Sequence, residues 1–526
     1  MNPAIPAPTN APTRVGAAAP AEGGQGGRGR YGLRFFCLAL WGWGLVAEPL
    51  QAETTQPVPP LTIQTQTLQI RNAGASHVAL VCPRKGPATT RPTTPPAEPT
   101  EIPGDDEVKQ AQQEASAYTL ASPARHSPLL QGDPRSWRIA VWGDSHMAAA
   151  FFSDQMVRQL VSGDAEVSSR FIHAGVGHGG VRALVRKTCL SGDWTREMAY
   201  AHADAAATPG PGMTSLVAKR PGASLALDLR DAQGLARHTR LRMLVHGDGT
   251  GSTQLAISVD GEAETPVRLE PSTGPSALEL HTSAAVSSLH IRVVEGPFRF
   301  QGLKLMDAPA PALAPAALHL DLFAYPGATV AGWVRSDLGY LATWFNDQPY
   351  DLALMAFGTN EGNDPHFNEA TYRDMLTRAV GNFRQVFPQT QCVLIGPADR
   401  GIRVAKTAKA PPNTSRKKPA AKGKTPPNTR NPQATAVAPS AKSRPAAKLL
   451  KYARIHAQIG QIQSEVAAQH GCLYWSMQAA MGGLGSAYTW ARQNPPRMAP
   501  DLIHLTPAGY RELANAFLAD FGLTQP

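Results

Sequence analysis

The chain has 526 residues and a net charge of +10, from 50 Lys and Arg against 40 Asp and Glu. The excess positive charge is local, because residues 401–448 hold twelve basic side chains and no acidic one, which leaves 38 basic against 40 acidic residues elsewhere. The near-neutral remainder excludes nucleic-acid binding through a general basic surface. Gly and Pro, 47 residues each, predict unstructured segments around about two or three domains.

Residues 1–52 are predicted to be an export signal. Three arginines precede an apolar run at 35–47, which is shorter than the roughly 20 residues of a spanning helix, and the small Ala52 suits cleavage. An uncleaved anchor is the alternative. The remaining sequence has no apolar stretch of the roughly 18 residues that would indicate another span. We therefore expect an exported protein of the periplasm or cell envelope.

Residues 53–136 are rich in Pro, Thr and Ala, a composition typical of a flexible and mostly disordered stalk. Within it, Ile63, Leu68 and Ile70 indicate one accessory strand.

A first α/β segment is predicted over 137–204. An apolar strand at 139–142 is followed by a helix in which Phe152, Met156 and Leu160 recur every four residues. Between them stands Gly143-Asp144-Ser145-His146. A Ser at the carboxyl end of a parallel strand faces the crevice where such sheets bind ligands, although Ser and Asp are also ordinary helix N-caps.

Alternation with period two replaces helical spacing over 205–312 and predicts an inserted antiparallel β-sandwich of jelly-roll-like type. We expect its His246 and His290 to be structural or solvated. The alternating apolar residues are Leu225, Leu227 and Leu229; Leu255, Ile257 and Val259; Leu289, Ile291 and Val293; and Phe298 and Phe300.

The α/β character returns over 313–526 and favours a parallel sheet wrapped by helices. A basic segment, 401–447, is predicted to be a disordered loop because it cannot bury enough apolar area to fold. The predicted strands are 351–357, 392–395 and 472–475, and the predicted helices are 372–387, 449–466 and 507–521.

Four cysteines follow the signal, namely Cys82, Cys189, Cys392 and Cys472. Their spacing is not that of a zinc site. Cys392 and Cys472 each open a short apolar run, so their thiols lie close together if these runs are neighbouring strands. Buried, unpaired thiols are the simpler interpretation and the one we favour from the sequence.

Three further motifs supply what a serine nucleophile needs. Asp501 and His504, three residues apart, offer a base and a carboxylate that orients it. Gly327 and Asn360 offer N–H donors that can converge with the backbone N–H of Ser145 on an oxyanion. Each motif is commonplace alone, but all of them in this order on one α/β framework predict acyl transfer through the serine.

The four blocks resemble those of the SGNH (GDSL-type) hydrolases, and they are Gly143-Asp144-Ser145, Gly327, Gly358-x-Asn360 and Asp501-x-x-His504. The resemblance implies a flavodoxin-like three-layer fold over 137–200 and 320–526. It also implies Ser145 as nucleophile, His504 as general base, Asp501 as its orienting group, and Ser145, Gly327 and Asn360 as the oxyanion hole.

A narrower resemblance is to bacterial periplasmic peptidoglycan O-acetylesterases, in which a carbohydrate-binding-module-like domain interrupts the hydrolase. It rests on His146 after the serine, the Gly-rich loop 175–180, the insertion before Gly327, Glu361 after Asn360, and Met481-Gly482-Gly483 before Asp501. The stalk and the basic loop depart from the pattern. The implied activity is removal of O-acetyl groups from cell-wall glycan through an acetyl-serine intermediate, with no cofactor and no metal.

Other functions stay open at this point. The same acyl-enzyme can pass its acetyl group to a glycan hydroxyl, as an O-acetyltransferase does, or another polysaccharide can be the substrate. A non-catalytic wall-binding protein would use the sandwich together with the basic loop, which can attract an anionic wall or membrane surface. Acyl-chain and glycan specificity depend on the shape of the cleft, which motifs do not encode.

Overall fold

The computed structural model describes residues 56–74, 80, 82, 100–114, 129–130, 132–133, 136–161, 167–182, 185–201, 207–231, 233–247, 249–306, 318–346, 350–405 and 446–523. The predicted signal, 1–52, and most of the predicted basic loop, 406–445, lie outside the described residues. None of the described helices combines the length and the apolar character that crossing a bilayer requires.

The described strands, in chain order, are β1 Gln64–Ile70, β2 Thr100–Glu101, β3 Arg138–Gly143, β4 Val167–Ser168, β5 Phe171–His173, β6 Lys187–Leu190, β7 Trp194–Met198, β8 Thr214–Ala218, β9 Ser224–Asp228, β10 Arg240–His246, β11 Thr253–Val259, β12 Thr265–Leu269, β13 Pro275–Thr282, β14 Ser288–Glu295, β15 Arg299–Met306, β16 Leu318–Leu322, β17 Leu352–Ala356, β18 Gln391–Gly396, β19 Val404–Ala405 and β20 Leu473–Ser476.

The described α-helices are α1 Asp105–Glu114, α2 Ser145–Ala148, α3 Phe151–Leu160, α4 Ala331–Arg335, α5 Leu338–Phe345, α6 Glu369–Val386, α7 Ala446–Leu449, α8 Lys451–Gln469, α9 Met477–Ala480, α10 Ser486–Arg492 and α11 Pro507–Asp520.

A parallel sheet with the order β20-β18-β17-β3-β16-β4 forms the α/β part of the chain. Counted from β3, its five main strands have the order 2-1-3-4-5, which is the flavodoxin-like order predicted. In that order the chain reverses direction across the sheet between β3 and β17, and ligands bind outside the carboxyl ends of the strands at such a point.

Helices cover both faces of the parallel sheet, because alternate residues of each buried strand enter different cores. Ile139 of β3 packs with Phe152 of α3 and with residues of α11 in one core. Trp142 of the same strand packs with Trp333 of α4 and Phe383 of α6 in the other. The strands predicted from apolar runs are these doubly buried ones, which explains why their patterns lack alternation.

Two mainly antiparallel sheets make up the middle of the chain. One has the order β1-β13-β10-β15-β8-β7, with β5 also paired to β15, and the other has the order β12-β11-β14-β9-β6. The alternating apolar residues predicted in the sequence enter one core that both sheets share, as shown by Met243 and Leu278 from the first sheet and Ile257 and Ile291 from the second.

The predicted boundary at 204/205 is too late for these sheets. β5 pairs with β15, β6 with β9, and β7 with β8, so three strands assigned to the first α/β segment belong to the antiparallel sheets. Their patterns are short and mixed, as in β7, where only Trp194 is buried. The alternation that locates longer strands is therefore missing.

The stalk contains more order than its composition predicts. β1 is the accessory strand expected there, and it pairs in parallel with β13. Helix α1 was not expected, yet its Val108 and Ala111 are buried in the core that contains Ile139. Two apolar side chains one helical turn apart are too weak a signal to stand out in a Pro-rich segment.

Both cysteine pairs form disulfides, so the interpretation as unpaired thiols was wrong. Cys82 is bonded to Cys189 of β6, and Cys392 of β18 is bonded to Cys472. β18 and β20 are neighbouring parallel strands in which Val393 lies opposite Leu473, and this pairing brings the two preceding cysteines together.

Candidate active site

Ser145 begins α2 at the carboxyl end of β3 and is partly exposed. The preceding Asp144 is the helix N-cap, and its carboxylate accepts the backbone N–H of His146 at 2.9 Å. A Cβ on Gly143 would stand 2.8 Å from the carbonyl oxygen of Ala356, so only glycine lets β3 run this close to β17 before the turn.

Ser145, His504 and Asp501 form one hydrogen-bonded chain. The Oγ of Ser145 lies 2.9 Å from Nε2 of His504, and Nδ1 of His504 lies 2.8 Å from Oδ2 of Asp501. The structure thus brings together the three residues predicted from motifs more than three hundred positions apart. The side chains of His504 and Asp501 are 41% and 47% exposed, so these two members of the hydrogen-bonded triad are accessible to solvent.

A tight turn ahead of α11 presents Asp501 and His504. Oδ1 of Asp501 accepts the backbone N–H groups of Ile503 and His504, both at 2.9 Å. Leu502 has a φ of 58° and a fully buried side chain, and its carbonyl accepts the N–H of Gly401 at 3.0 Å. Burial opposes ionisation of Asp501, but hydrogen bonds from His504 and the turn outweigh it and lower its pKa.

Gly327 and Asn360 stand on the two loops beside the serine. The N–H of Tyr325 donates to the carbonyl of Gly143 at 3.0 Å, and the amide Nδ2 of Asn360 donates to the carbonyl of Ala328 at 2.8 Å. Gly327 is exposed and has a φ of 83°, in the left-handed region that favours glycine. An amide carries two N–H donors, so that of Asn360 retains one for another acceptor.

Glu361 holds these two loops together, a role that the sequence analysis missed. Its Oε1 accepts the N–H of Val330 at 2.8 Å and its Oε2 accepts the N–H of Gly358 at 3.1 Å. Burial, with a smaller contribution from the charge of Asp144, raises the pKa of Glu361 to about 7. Burial likewise raises the pKa of Asp144 to about 6. A Gly-x-Asn-Glu motif contains the residue but does not reveal these tertiary contacts.

A second imidazole, that of His146, lies next to the imidazole of His504. His146 is buried, its Nδ1 lies 3.2 Å from the hydroxyl of Tyr510, and its ring centroid lies 5.6 Å from that of His504. Burial lowers the pKa of His146 to about 3, so the ring is neutral at pH 7.

The two histidines expected to be structural lie in the antiparallel sheets. The ring of His246 packs edge-on against Tyr340 with centroids 5.3 Å apart, and its Nδ1 lies 3.2 Å from the carbonyl oxygen of Gly274. His290 lies in β14, opposite Ala226 of β9.

Residues 304–512 match the family model of the GDSL-like lipase/acylhydrolase family. This range contains Gly327, Asn360, Asp501 and His504, whereas Ser145 lies ahead of it because the antiparallel sheets intervene in the sequence. The chain therefore contains a domain of the GDSL-like lipase/acylhydrolase family. It is a carboxylic ester hydrolase by class.

Among solved structures, a peptidoglycan O-acetylesterase captured in action at 5 min is 20% identical, covers 79% of this chain and 95% of its own, and has a TM-score of 0.47. A family two carbohydrate esterase from Cellvibrio japonicus is 13% identical, covers 64% of this chain and 99% of its own, and has a TM-score of 0.22. The module CsCBM6-3 from Clostridium stercorarium, solved with cellobiose, is 10% identical and has a TM-score of 0.19. The match covers 28% of this chain and 100% of the module. The comparison with curated proteins found no match.

Proposed function

We propose that this esterase removes O-acetyl groups from cell-wall glycan, with peptidoglycan as the substrate and the cell envelope as its location. The observation that carries the proposal is the hydrogen-bonded chain Ser145, His504 and Asp501 at the carboxyl edge of the parallel sheet. The loops of Gly327 and Asn360 are bound to that same edge and to each other.

The first half-reaction transfers the acetyl group to Ser145. Nε2 of His504 takes the hydroxyl proton while Oγ attacks the acetyl carbonyl carbon, and Asp501 stabilises the imidazolium that forms. The backbone N–H groups of Ser145 and Gly327 and the side-chain amide of Asn360 stabilise the tetrahedral oxyanion. His504 then gives its proton to the sugar oxygen as the carbon–oxygen bond of the ester breaks, which leaves acetyl-serine.

The second half-reaction releases acetate. His504 takes a proton from water, which attacks the acetyl-serine carbonyl through a second oxyanion held by the same donors. The proton returns to Oγ of Ser145 when that intermediate collapses, so the sum is one ester and one water converted to a free sugar hydroxyl and acetic acid, which ionises to acetate and a proton in solvent. A sugar hydroxyl in place of water would make the same site an O-acetyltransferase.

The two antiparallel sheets support a glycan substrate. We infer that they form an inserted β-sandwich of the carbohydrate-binding type. A cavity of about 200 Å³ in this part of the chain is lined by side chains able to bond sugar hydroxyls, including Gln64 and Gln66 of β1 together with His246 and Glu270. The predicted basic loop would add electrostatic contact with an anionic wall polymer or membrane surface.

The envelope location is supported by two features of different kind. The predicted signal would export the chain, and the two disulfides, Cys82–Cys189 and Cys392–Cys472, are a feature of proteins in oxidising compartments.

Acetate release tests the proposal directly. The purified chain is incubated with O-acetylated peptidoglycan, acetylated xylan and a chromogenic acetyl ester, beside its Ser145→Ala variant. We expect release from peptidoglycan that the variant abolishes while its circular dichroism stays unchanged. Serine-dependent release from the small ester or from xylan alone would discard the peptidoglycan assignment, and near-normal turnover by the variant would discard the mechanism. Mass analysis with added sugar acceptors separates hydrolysis from transfer.

A further inference from the structure

The Gly-rich loop singled out in the sequence, residues 175–180, packs against the loop that contains Gly327. The ring of His178 lies 5.1 Å from the ring of Tyr325, centroid to centroid. A Cβ on Gly180 would stand 3.0 Å from Cγ of Pro326. Just beyond the loop, the N–H of Arg182 donates to the carbonyl of Ala148 in α2, the helix that Ser145 begins.

The hydrogen bonds of His178 fix which ring nitrogen carries its proton. The N–H of Gly180 donates to Nδ1 of His178 at 3.1 Å, so the neutral ring has its hydrogen on Nε2. Burial and the positive charge of Arg196 both lower the pKa of His178, which keeps the ring neutral at pH 7. The side chain is only partly buried. Nε2–H is therefore the one N–H donor of a ring that packs against the Gly327 loop.

Tyr200 approaches the same loop from another part of the antiparallel sheets. It lies in the short 3-10 helix Ala199–Ala201 after β7, and its hydroxyl donates to the carbonyl of Pro326 at 3.5 Å. That hydroxyl is also the nearest atom to a Cβ built on Gly327, at 4.0 Å. The guanidinium of Arg335 donates to the carbonyl of Tyr200 and holds its backbone in place.

We propose that His178 and Tyr200 are specificity residues that bind the sugar ring carrying the acetyl ester. The Nε2–H of His178 donates to an oxygen of the sugar, and the Tyr200 hydroxyl exchanges its long bond to Pro326 for one to a sugar hydroxyl. This inference rests on the proposed function, because it takes a glycan as the substrate. Both residues contact the Gly327 loop, so we assign them to recognition of the leaving group and not to acyl transfer.

Kinetics on two substrates test the inference with the full-length protein. His178→Ala and Tyr200→Phe are compared with wild type on soluble O-acetylated peptidoglycan fragments and on a chromogenic acetyl ester that has no sugar. We expect kcat/KM on the glycan to fall about tenfold or more in each variant, mostly through KM, since a lost hydrogen bond costs on that order. On the small ester kcat/KM of His178→Ala should stay within about twofold of wild type. Tyr200→Phe should lose clearly less on the small ester than on the glycan.

His470→Ala is the matched control. His470 is also a partly buried imidazole with a pKa lowered by burial, but it follows α8 and precedes β20, at the amino edge of the sheet. This variant should have the kcat/KM of wild type on both substrates. His178→Gln, which restores an N–H donor, should recover part of the glycan activity.

Two kinetic outcomes would overturn the inference. Equal loss on both substrates would place His178 and Tyr200 in acyl transfer or in folding and overturn the inference, as would glycan kinetics equal to wild type. Glycan activity of the wild-type chain tests the proposed function separately. If it is absent while the small ester is cleaved, the proposed function fails and the inference fails with it.

Discussion

Asp501 holds His504 through two different carboxylate oxygens: Oδ2 accepts Nδ1–H of the ring at 2.8 Å, and Oδ1 accepts the backbone N–H at 2.9 Å. One carboxylate thus fixes both the position of the turn and the tautomer of the ring. The tautomer matters because Nε2 can take the proton of Ser145 only when the hydrogen of the neutral ring is on Nδ1.

The substitution Asp501→Asn separates these two functions of the carboxylate. The amide oxygen can still accept the backbone N–H, but the amide nitrogen then faces Nδ1 and favours the tautomer that cannot act as base. We expect kcat on a chromogenic acetyl ester to fall by about 10³–10⁴ with little change in the melting temperature. Asp501→Ala, which removes both acceptors, should also lower the melting temperature. A rate within about tenfold of wild type for Asp501→Asn would contradict the assigned role.

Gly327 and Gly358 allow a comparison of strain with and without steric conflict. Gly327→Ala places a Cβ in open space at a φ of 83°, where the nearest atom stands 4.0 Å away. Gly358→Ala places one at a φ of 122° and only 2.9 Å from Cγ2 of Ile459. We expect Gly358→Ala to lower the free energy of unfolding by about 2–4 kcal/mol and Gly327→Ala by about 1–2 kcal/mol.

The Gly327 substitution should also reduce the rate, because a relaxed backbone turns the donor N–H of residue 327 away from the oxyanion. Loss of one oxyanion donor typically costs about 10²–10³ in kcat. Urea denaturation and steady-state kinetics on the two variants check both effects. A Gly327→Ala variant with wild-type kcat would remove that N–H from the proposed oxyanion hole.

The sequence predicts the parallel sheet, and the candidate site residues that it predicts come together in the structure, for a physical reason. β3, β17, β18 and β20 are buried on both faces, so their apolar runs stand out, and Ser145, Asn360 and His504 occupy strand ends and a turn where polar residues interrupt such runs. Local pattern and position in the fold agree at these sites.

Features that depend on distant partners escape the sequence. β7 is recognisable only through its pairing with β8, and α1 only through the core that receives Val108. The function of Glu361 depends on two backbone N–H groups that folding brings to its carboxyl group. The position of His178 beside the Tyr325 ring depends on a contact between residues far apart in the sequence, which no local spacing encodes.

The raised pKa of Glu361 makes its contribution to stability depend on pH. Its pKa is raised from 4.5 to about 7 in the folded chain, so between these values the folded chain holds a proton that the unfolded chain has lost. The contribution of Glu361 to stability is therefore largest below pH 4.5 and is lost as the pH rises towards 7. We expect this contribution to the free energy of unfolding to fall over the window and to level off above it.

The difference between wild type and Glu361→Gln reports on Glu361 together with its coupling to Asp144, because Gln does not titrate. The raised pKa of Asp399, about 6, affects both proteins. From pH 5 to pH 7.5 the advantage of wild type over the variant should shrink by about 1–3 kcal/mol in urea denaturation. Parallel curves for the two proteins would mean that the carboxyl group of Glu361 is ionised throughout.

The disulfide between Cys392 and Cys472 should stabilise the fold without contributing to the chemistry. It closes a loop with a sequence separation of 80 and joins two neighbouring strands of the catalytic sheet. In the chain-entropy account, closing such a loop stabilises the fold by about 4.5 kcal/mol, and measured losses on removing a disulfide range over about 2–5 kcal/mol. Cys392→Ala with Cys472→Ala should therefore lower the melting temperature by several degrees or more while kcat at 25 °C persists, because the carboxyl edge that holds Ser145 lies at the other end of these strands. Thiol titration of residues 53–526, denatured without reductant, is the matching control. It should find no free thiol in wild type; two free thiols would show that one of the two pairs is not bonded, and four would show that neither is.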